Sequence, residues 1–325
     1  HAHPSPSGAA PLREGLRLIL HGDVTSLLRR PTPVRRRLLE TAIDAWGGRD
    51  ETATRALLAL LDSLQDDGNH HGELGLALAR SLIRAGRDED GRRLLGALTR
   101  AHPDLDAPRR WLRALDAPRL GRLALGPSAG RSGRPPPGSG VEARRPGIDL
   151  FTMRPVWIFF ARPEHAAALA ETEALLGDLC VPGVVTPMAS GDADGERWLA
   201  VPSIGVGLDG ALEQRGGASR AEALALASGA IAILAALASA GAVLPDAHQR
   251  RFEVDPGGHP WLVDVRRLAP APGTDASSVM LGHARDLVRR VLDGARRFVP
   301  PAGLPEDLPT IASFAGLVRR LDGAQ

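Results

Sequence analysis

The chain has 325 residues, 43% of them hydrophobic, enough to build more than one buried core. It contains no Tyr and no Lys, and aromatic residues make up only 3%, so its cores must rest on Leu, Ala and Val. A formal charge of +2 divides into an excess of Arg over residues 1–150 (24 against 18 acidic) and of acid beyond (16 against 20), too small and scattered for a nucleic-acid footprint.

The lone cysteine, Cys180, excludes an internal disulfide and a multi-cysteine zinc site, and reads as a small core residue. Residues 1–11 are rich in Pro, Ser, Ala and His and read as a loose tail; a start at His1 suggests a trimmed piece. Residues 12–115 are helical in pattern throughout. Leu38, Leu39, Ala42, Ile43 and Trp46 form one apolar face that stops at Gly47-Gly48, and residues 54–64 form another. Asn69-His70-His71 reads as a turn and not a metal site.

The clearest helix pair covers residues 71–104. Leu78, Ala79 and Leu82 line its first helix, Gly86 its turn, and Gly91, Leu95 and Leu98 its second, closed by Ala101-His102-Pro103. This pair resembles a tetratricopeptide repeat, although Gly75 and Gly91 stand where that family favours a bulky residue and Ala. The resemblance implies stacked helix pairs whose groove receives a protein partner.

Composition shifts abruptly over residues 116–148. Residues 126–140 are rich in Gly, Pro, Ser and Arg, and Pro135, Pro136 and Pro137 in succession remove backbone N–H donors. A linker is expected, flanked by weak strands at 120–125 and 141–144. Gly126-Pro127-Ser128-Ala129-Gly130 has the spacing of a hydrolase nucleophile elbow, but a Gly/Pro-rich stretch follows where a helix is required.

Residues 156–161 form the strongest strand pattern, ended by Arg162, and a helix over 165–177 follows. Glu173 shares the Leu169/Leu176 face of that helix and should point inward. Strands are expected at 184–190 and 197–202 around an acidic turn, then a linker over 201–208 and a short helix over 209–214. Gly205, Gly207 and Gly210 meet a dinucleotide-binding spacing without the strand-helix-strand unit that would give it meaning. The alanine-rich run 221–243 is broken by Ser and Gly and reads as a buried helix of a soluble unit, with no membrane insertion. Asp246 and His248 follow in a loop. Strands at 251–254 and 260–263 flank Pro256-Gly257-Gly258, Asp264 lies at the exit, and helices at 277–298 and 308–321 close the chain.

A helix, a loop Asp, a hairpin and an Asp at its exit: this order resembles the catalytic segment of the protein-kinase and aminoglycoside-phosphotransferase superfamily. The resemblance covers residues 150–325. It places Asp246, in Asp-x-His with His248, at the position of the base, and Asp264 at that of the metal ligand. Arg162 takes the place of the phosphate-pairing Lys, Glu173 that of its acidic partner, and Val201 and Ser203 lie at the interlobe hinge that receives adenine. Arg251 stands where the family has a metal-binding Asn, and Val265-Arg266 follow Asp264 in place of Phe-Gly.

The expected fold is therefore multi-domain. A tetratricopeptide-like helical domain (12–115) and a linker or degenerate start of a small lobe (116–148) precede an α+β two-lobed kinase-like domain (149–206 and 207–325). Its expected role is that of a cytoplasmic pseudokinase, a scaffold or regulatory interaction module with no active catalytic residues, no metal, and ATP as a weak or structural ligand at most. The alternatives are an atypical ATP-dependent phosphotransferase with Asp246 as base, and a helical-repeat interaction protein unrelated to kinases.

Overall fold

Leucine-rich helices with short turns occupy the first third of the chain, and a sheet with helices packed on it occupies the rest. The computed structural model describes residues 9–126, 144–213, 219–245, 249–271, 276–295 and 313–322. These fall into two compact units, one within His1–Gly126 and Ile148–Met153, the other within Pro127–Gly147 and Arg154–Gln325.

The first unit carries α1 (Ala9–His21), α2 (Val24–Leu28), α3 (Thr32–Trp46), α4 (Glu51–Asp62), α5 (Asn69–Arg84), α6 (Asp88–Ala101) and α7 (Asp106–Asp116). Helix α4 starts where the Asp50 carboxylate accepts the Ala53 N–H at 2.7 Å, satisfying a first-turn donor. Helix α3 packs on α4, α5 on α6 and α6 on α7. The expected faces are buried: Leu38, Leu39, Ala42 and Ile43 on α3, Leu78 and Leu82 on α5, Leu95 and Leu98 on α6. The two departures from the repeat pattern have a packing reason. A Cβ on Gly75 would stand 2.5 Å from Leu98 Cδ2, and one on Gly91 would stand 2.8 Å from Ile83 Cγ1, so the leucine and isoleucine fill the space. Residues 120–125, expected as one weak strand, belong to a hairpin of β1 (Arg119–Leu120) and β2 (Leu123–Leu125). The Leu150 N–H donates to the Arg122 carbonyl, and Arg84 Nε donates to the Phe151 carbonyl, tying residues 148–153 to the same unit.

Strand β3 (Arg144–Asp149) begins in the second unit and ends in the first. Most of the stretch expected as a linker, 127–143, lies outside the described residues. The second unit continues with β4 (Pro155–Ala161), α8 (Pro163–Asp178), β5 (Ala189–Ala193), β6 (Glu196–Pro202), β7 (Val206–Gly207) and α9 (Leu208–Glu213). Then come α10 (Arg220–Ser239), β8 (Ala242–Val243), β9 (Phe252–Val254), β10 (Pro260–Leu262), β11 (Ala269–Pro270), α11 (Ala276–Ala295) and α12 (Phe314–Asp322). Its strands lie in the order β3-β4-β6-β5, with β6 antiparallel to both β4 and β5. A second small sheet has β9 between β10 and β7, and β8 pairs with β11.

Three expectations need correction: Asn69-His70-His71, read as a turn, are the first residues of α5, and His71 is buried. The strand expected at 184–190 forms at Ala189–Ala193, inside the stretch assigned to an acidic turn, and the reversal is the Asp194-Gly195 pair, both at positive φ. Residues before it run alongside Leu262 through a single bridge at Val184. Cys180, expected in the core, is exposed in the loop after α8.

A capping box opens α10: Ser219 Oγ accepts the Glu222 N–H, and the Glu222 carboxylate accepts the Ser219 N–H at 2.8 Å. Among the described residues this is the one helix long and apolar enough to cross a membrane, and just over half of its apolar stretch (56%) is buried. Ala223, Ala227, Ile231 and Leu234 pack with Phe159 and Leu199 of the sheet and with Leu287 and Val288 of α11 in one continuous core. The molecule is thus a multi-domain chain of mixed α and β structure with an antiparallel sheet.

Candidate functional site

Among the described residues of the second unit two carboxylates are buried, and each is enclosed by donors. Burying an ionised carboxylate costs several kcal/mol unless hydrogen bonds and opposite charge offset it, so its partners define the local architecture.

The first is Glu253, 2% exposed, on β9. Because β9 is the middle strand, Glu253 is flanked by Trp261 on one side and Gly207 on the other, and its side chain leaves the face opposite to those of Phe252 and Val254. Oε1 accepts from Arg144 Nη2 at 2.6 Å and from the Trp157 indole N–H. Oε2 accepts from the Ile204 N–H at 2.8 Å, and from the Gly205 N–H and the Ser203 hydroxyl at 3.2 Å each. The Arg144 guanidinium stacks on the Trp157 ring, 3.5 Å from its centroid. Burial pulls the Arg144 guanidinium below its ordinary value, and the neighbouring Glu253 and Asp264 carboxylates oppose that shift.

The second is Asp264, 6% exposed, where β10 gives way to a loop. Arg266 grips it in a fork, with Nη2 to Oδ2 at 2.6 Å and Nε to Oδ1 at 2.8 Å. Arg251, 7% exposed, places Nη1 3.5 Å from Oδ1 and donates to the carbonyls of Asp264 (3.1 Å) and Arg266 (2.9 Å). The Arg266 guanidinium also lies 4.8 Å from the Phe159 ring centroid. Burial pushes the Asp264 carboxyl up, but the Arg266 hydrogen bonds and charge, aided by Arg251 and Arg144, hold it below the usual carboxylate value.

A third ion pair fixes α8. Glu173 accepts from Arg197 Nη2 at 2.7 Å and from the Ser190 hydroxyl. Arg197 belongs to β6, opposite Ala161 in the register, so this guanidinium comes from the strand beside the one that ends at Arg162. Arg162 is exposed at the entry to α8. On the same helix the Thr172 hydroxyl donates to the Leu268 carbonyl at 3.0 Å, linking α8 to the loop after Asp264.

The residues singled out from the sequence are thus distributed as follows. Arg251 and Asp264 are in contact. Val201 is buried opposite Trp157 on β6, and Ser203 belongs to the Glu253 cluster. Asp246 and His248 lie outside the described residues. Arg266 was marked only as a departure after Asp264, and Glu253, Arg144, Trp157 and Arg197 were not singled out; the one signal for them was an acid between Phe252 and Val254, where an alternating strand calls for scrutiny of a charge.

A magnesium ion, which the kinase resemblance implies, does not fit Asp264 as it stands. Both its oxygens carry guanidinium hydrogen bonds, and a cation would enter against Arg251 and Arg266. No family model matches the chain, and no curated protein matches it.

Proposed function

We propose that residues 149–325 form a kinase-like unit without phosphoryl-transfer chemistry, a pseudokinase, and that the whole chain serves as a scaffold or regulatory interaction module. The order of elements supports the reading. A strand (β4), a helix (α8) and two more strands of the same sheet (β5, β6) lead through a crossover to a short helix, a long helix, a loop, a hairpin and Asp264. The observation that carries the loss of chemistry is the guanidinium pair on Asp264. In a phosphotransferase this carboxylate holds the metal that bridges the phosphates. Here Arg266 and Arg251 satisfy it. The helical unit, with its tetratricopeptide-like pair α5 and α6, supplies the surface for a protein partner in this reading.

Calorimetric titration of the full chain with ATP, with and without magnesium, tests the proposal. No magnesium-dependent binding is expected. Arg251→Asn combined with Arg266→Gly should leave Asp264 open to metal, so that magnesium raises the thermal midpoint of the double variant and not of the parent. Micromolar Mg-ATP binding by the unmodified chain, with transfer to an acceptor that Asp246→Ala abolishes, would replace this reading by the atypical phosphotransferase.

A further inference from the structure

The Glu253 cluster has a composition that a structural ion pair does not require. Oε1 faces only donors, Arg144 and Trp157, and Oε2 faces the N–H donors of Ile204 and Gly205 beside the Ser203 hydroxyl, which donates here. A group seated there must present two acceptor atoms and no hydrogen, which among side chains is met by an ionised carboxylate alone. The donors come from three separate parts of the unit, β3, β4 and the 203–205 crossover, and they converge on the end of a side chain from a fourth, β9. The crossover is held against β9 by its backbone as well: a Cβ on Gly205 would stand 2.0 Å from the Val254 carbonyl oxygen, so only glycine brings this N–H within reach of Oε2. The guanidinium is held in place by its stack on Trp157, and both Trp157 and Arg144 are only partly exposed.

We infer that the face formed by β3, β4 and the 203–205 crossover is a carboxylate-binding site filled in cis by Glu253, so that an outside ligand enters only by displacing that side chain. The inference rests on the proposed function for one point, that residues 201–208 are the crossover whose backbone would receive a nucleotide base. In that reading the chain's own carboxylate takes the backbone donors a base would use, and the cleft is closed from within. The site itself stands on the donor geometry alone.

The full chain and two variants test it. Glu253→Gln keeps the shape and must turn an NH2 group toward donors. Amide hydrogen exchange over residues 203–206 should then quicken at least about tenfold, with exchange in α5 and α6 unchanged. Glu253→Ala empties the site, and sodium acetate should raise its thermal midpoint while equal concentrations of sodium chloride or acetamide do not; the parent chain should show no such difference. Unchanged exchange in Glu253→Gln overturns the inference, as does equal response of Glu253→Ala to acetate and acetamide. If Glu253→Ala does not fold, the exchange measurement on Glu253→Gln decides. Mg-ATP binding by the parent chain would strike the proposed function and leave these outcomes untouched, so the two ideas fail separately.

Discussion

In the helical unit the buried polar groups find most of their partners close by in the chain, whereas the buried Glu253 of the mixed unit draws its partners from 48 to 109 positions away. The Thr54 hydroxyl donates to the Asp50 carbonyl, and the buried Asp149 carboxylate accepts from Phe151 and Thr152. Arg144 and Glu253, by contrast, are separated by 109 positions, and Trp157 and Glu253 by 96. Leu on Leu closes the first unit: Leu57, Leu60 and Leu61 of α4 with Leu38 and Leu39 of α3, all but solvent-free. The second has an equally apolar core, but it surrounds carboxylates and guanidinium groups that must all be in place at once. Removing one partner from such a cluster should therefore cost more than removing an apolar side chain, and the cost should appear in one unit only.

The largest effect is expected from Asp264→Ala, which takes from Arg251 and Arg266 the carboxylate they share beside an apolar core and should destabilise the mixed unit by about 3–5 kcal/mol. Denaturant unfolding followed by exchange in α10 and in α5 would assign the loss to a unit; an equal loss in both would break the comparison. The same carboxylate gives the mixed unit an acid limit. Its folded-state value lies below the ordinary one near 3.9, so its contribution is present above that pH and is lost as pH falls through the lower value.

Next in size is Leu95→Ala, at a fully buried position packed with Ile83 and Trp111, expected to cost the helical unit about 3 kcal/mol. A loss below about half a kcal/mol would show that this position is not core. Ser219→Ala removes one half of the capping box of α10 and should cost about 1 kcal/mol, measurable as a shift in the urea midpoint at unchanged slope. A local feature in the mixed unit would then behave like those of the helical unit.

The smallest effect concerns His71, which is 6% exposed, with Nδ1 2.7 Å from His102 Nε2. One ring must donate and the other accept, so the pair requires at least one neutral ring. Burial, followed by the His102 charge, holds His71 below its ordinary value, with Asp62 opposing. The unfolded chain therefore binds the proton more readily, and the helical unit should lose stability as pH falls below about 6.5. His71→Gln should flatten that dependence between about pH 7 and 5.

Elements built from near neighbours were legible before any tertiary structure. The apolar faces of α3 and α6, the Ser219 start of α10 and the Gly-Gly turn between β9 and β10 all follow from spacing within a few residues, because helix and hairpin geometry is set at that range. The pairing of Arg251 with Asp264 was also within reach, since only the length of one hairpin separates them. The strand at 189–193 was misplaced because the apolar residues before it made a better pattern than Ala189-Ser190-Gly191 did, and pairing with β6 overrode that preference.

What the residues alone determined is thus the helical character of residues 12–115, the main helices beyond them, the hairpin around Pro256-Gly257-Gly258 and the replacement of Asn and Lys by Arg at the places the kinase resemblance marks. Tertiary structure alone decided the more distant meetings of charge: that Glu173 takes Arg197, and that Glu253 gathers β3, β4 and the crossover around one carboxylate. The reason is physical. A helix face or a turn is fixed by bonded geometry over a few residues, but a buried charge selects its partner by proximity in three dimensions, and proximity between residues on different strands exists only once the sheet has formed.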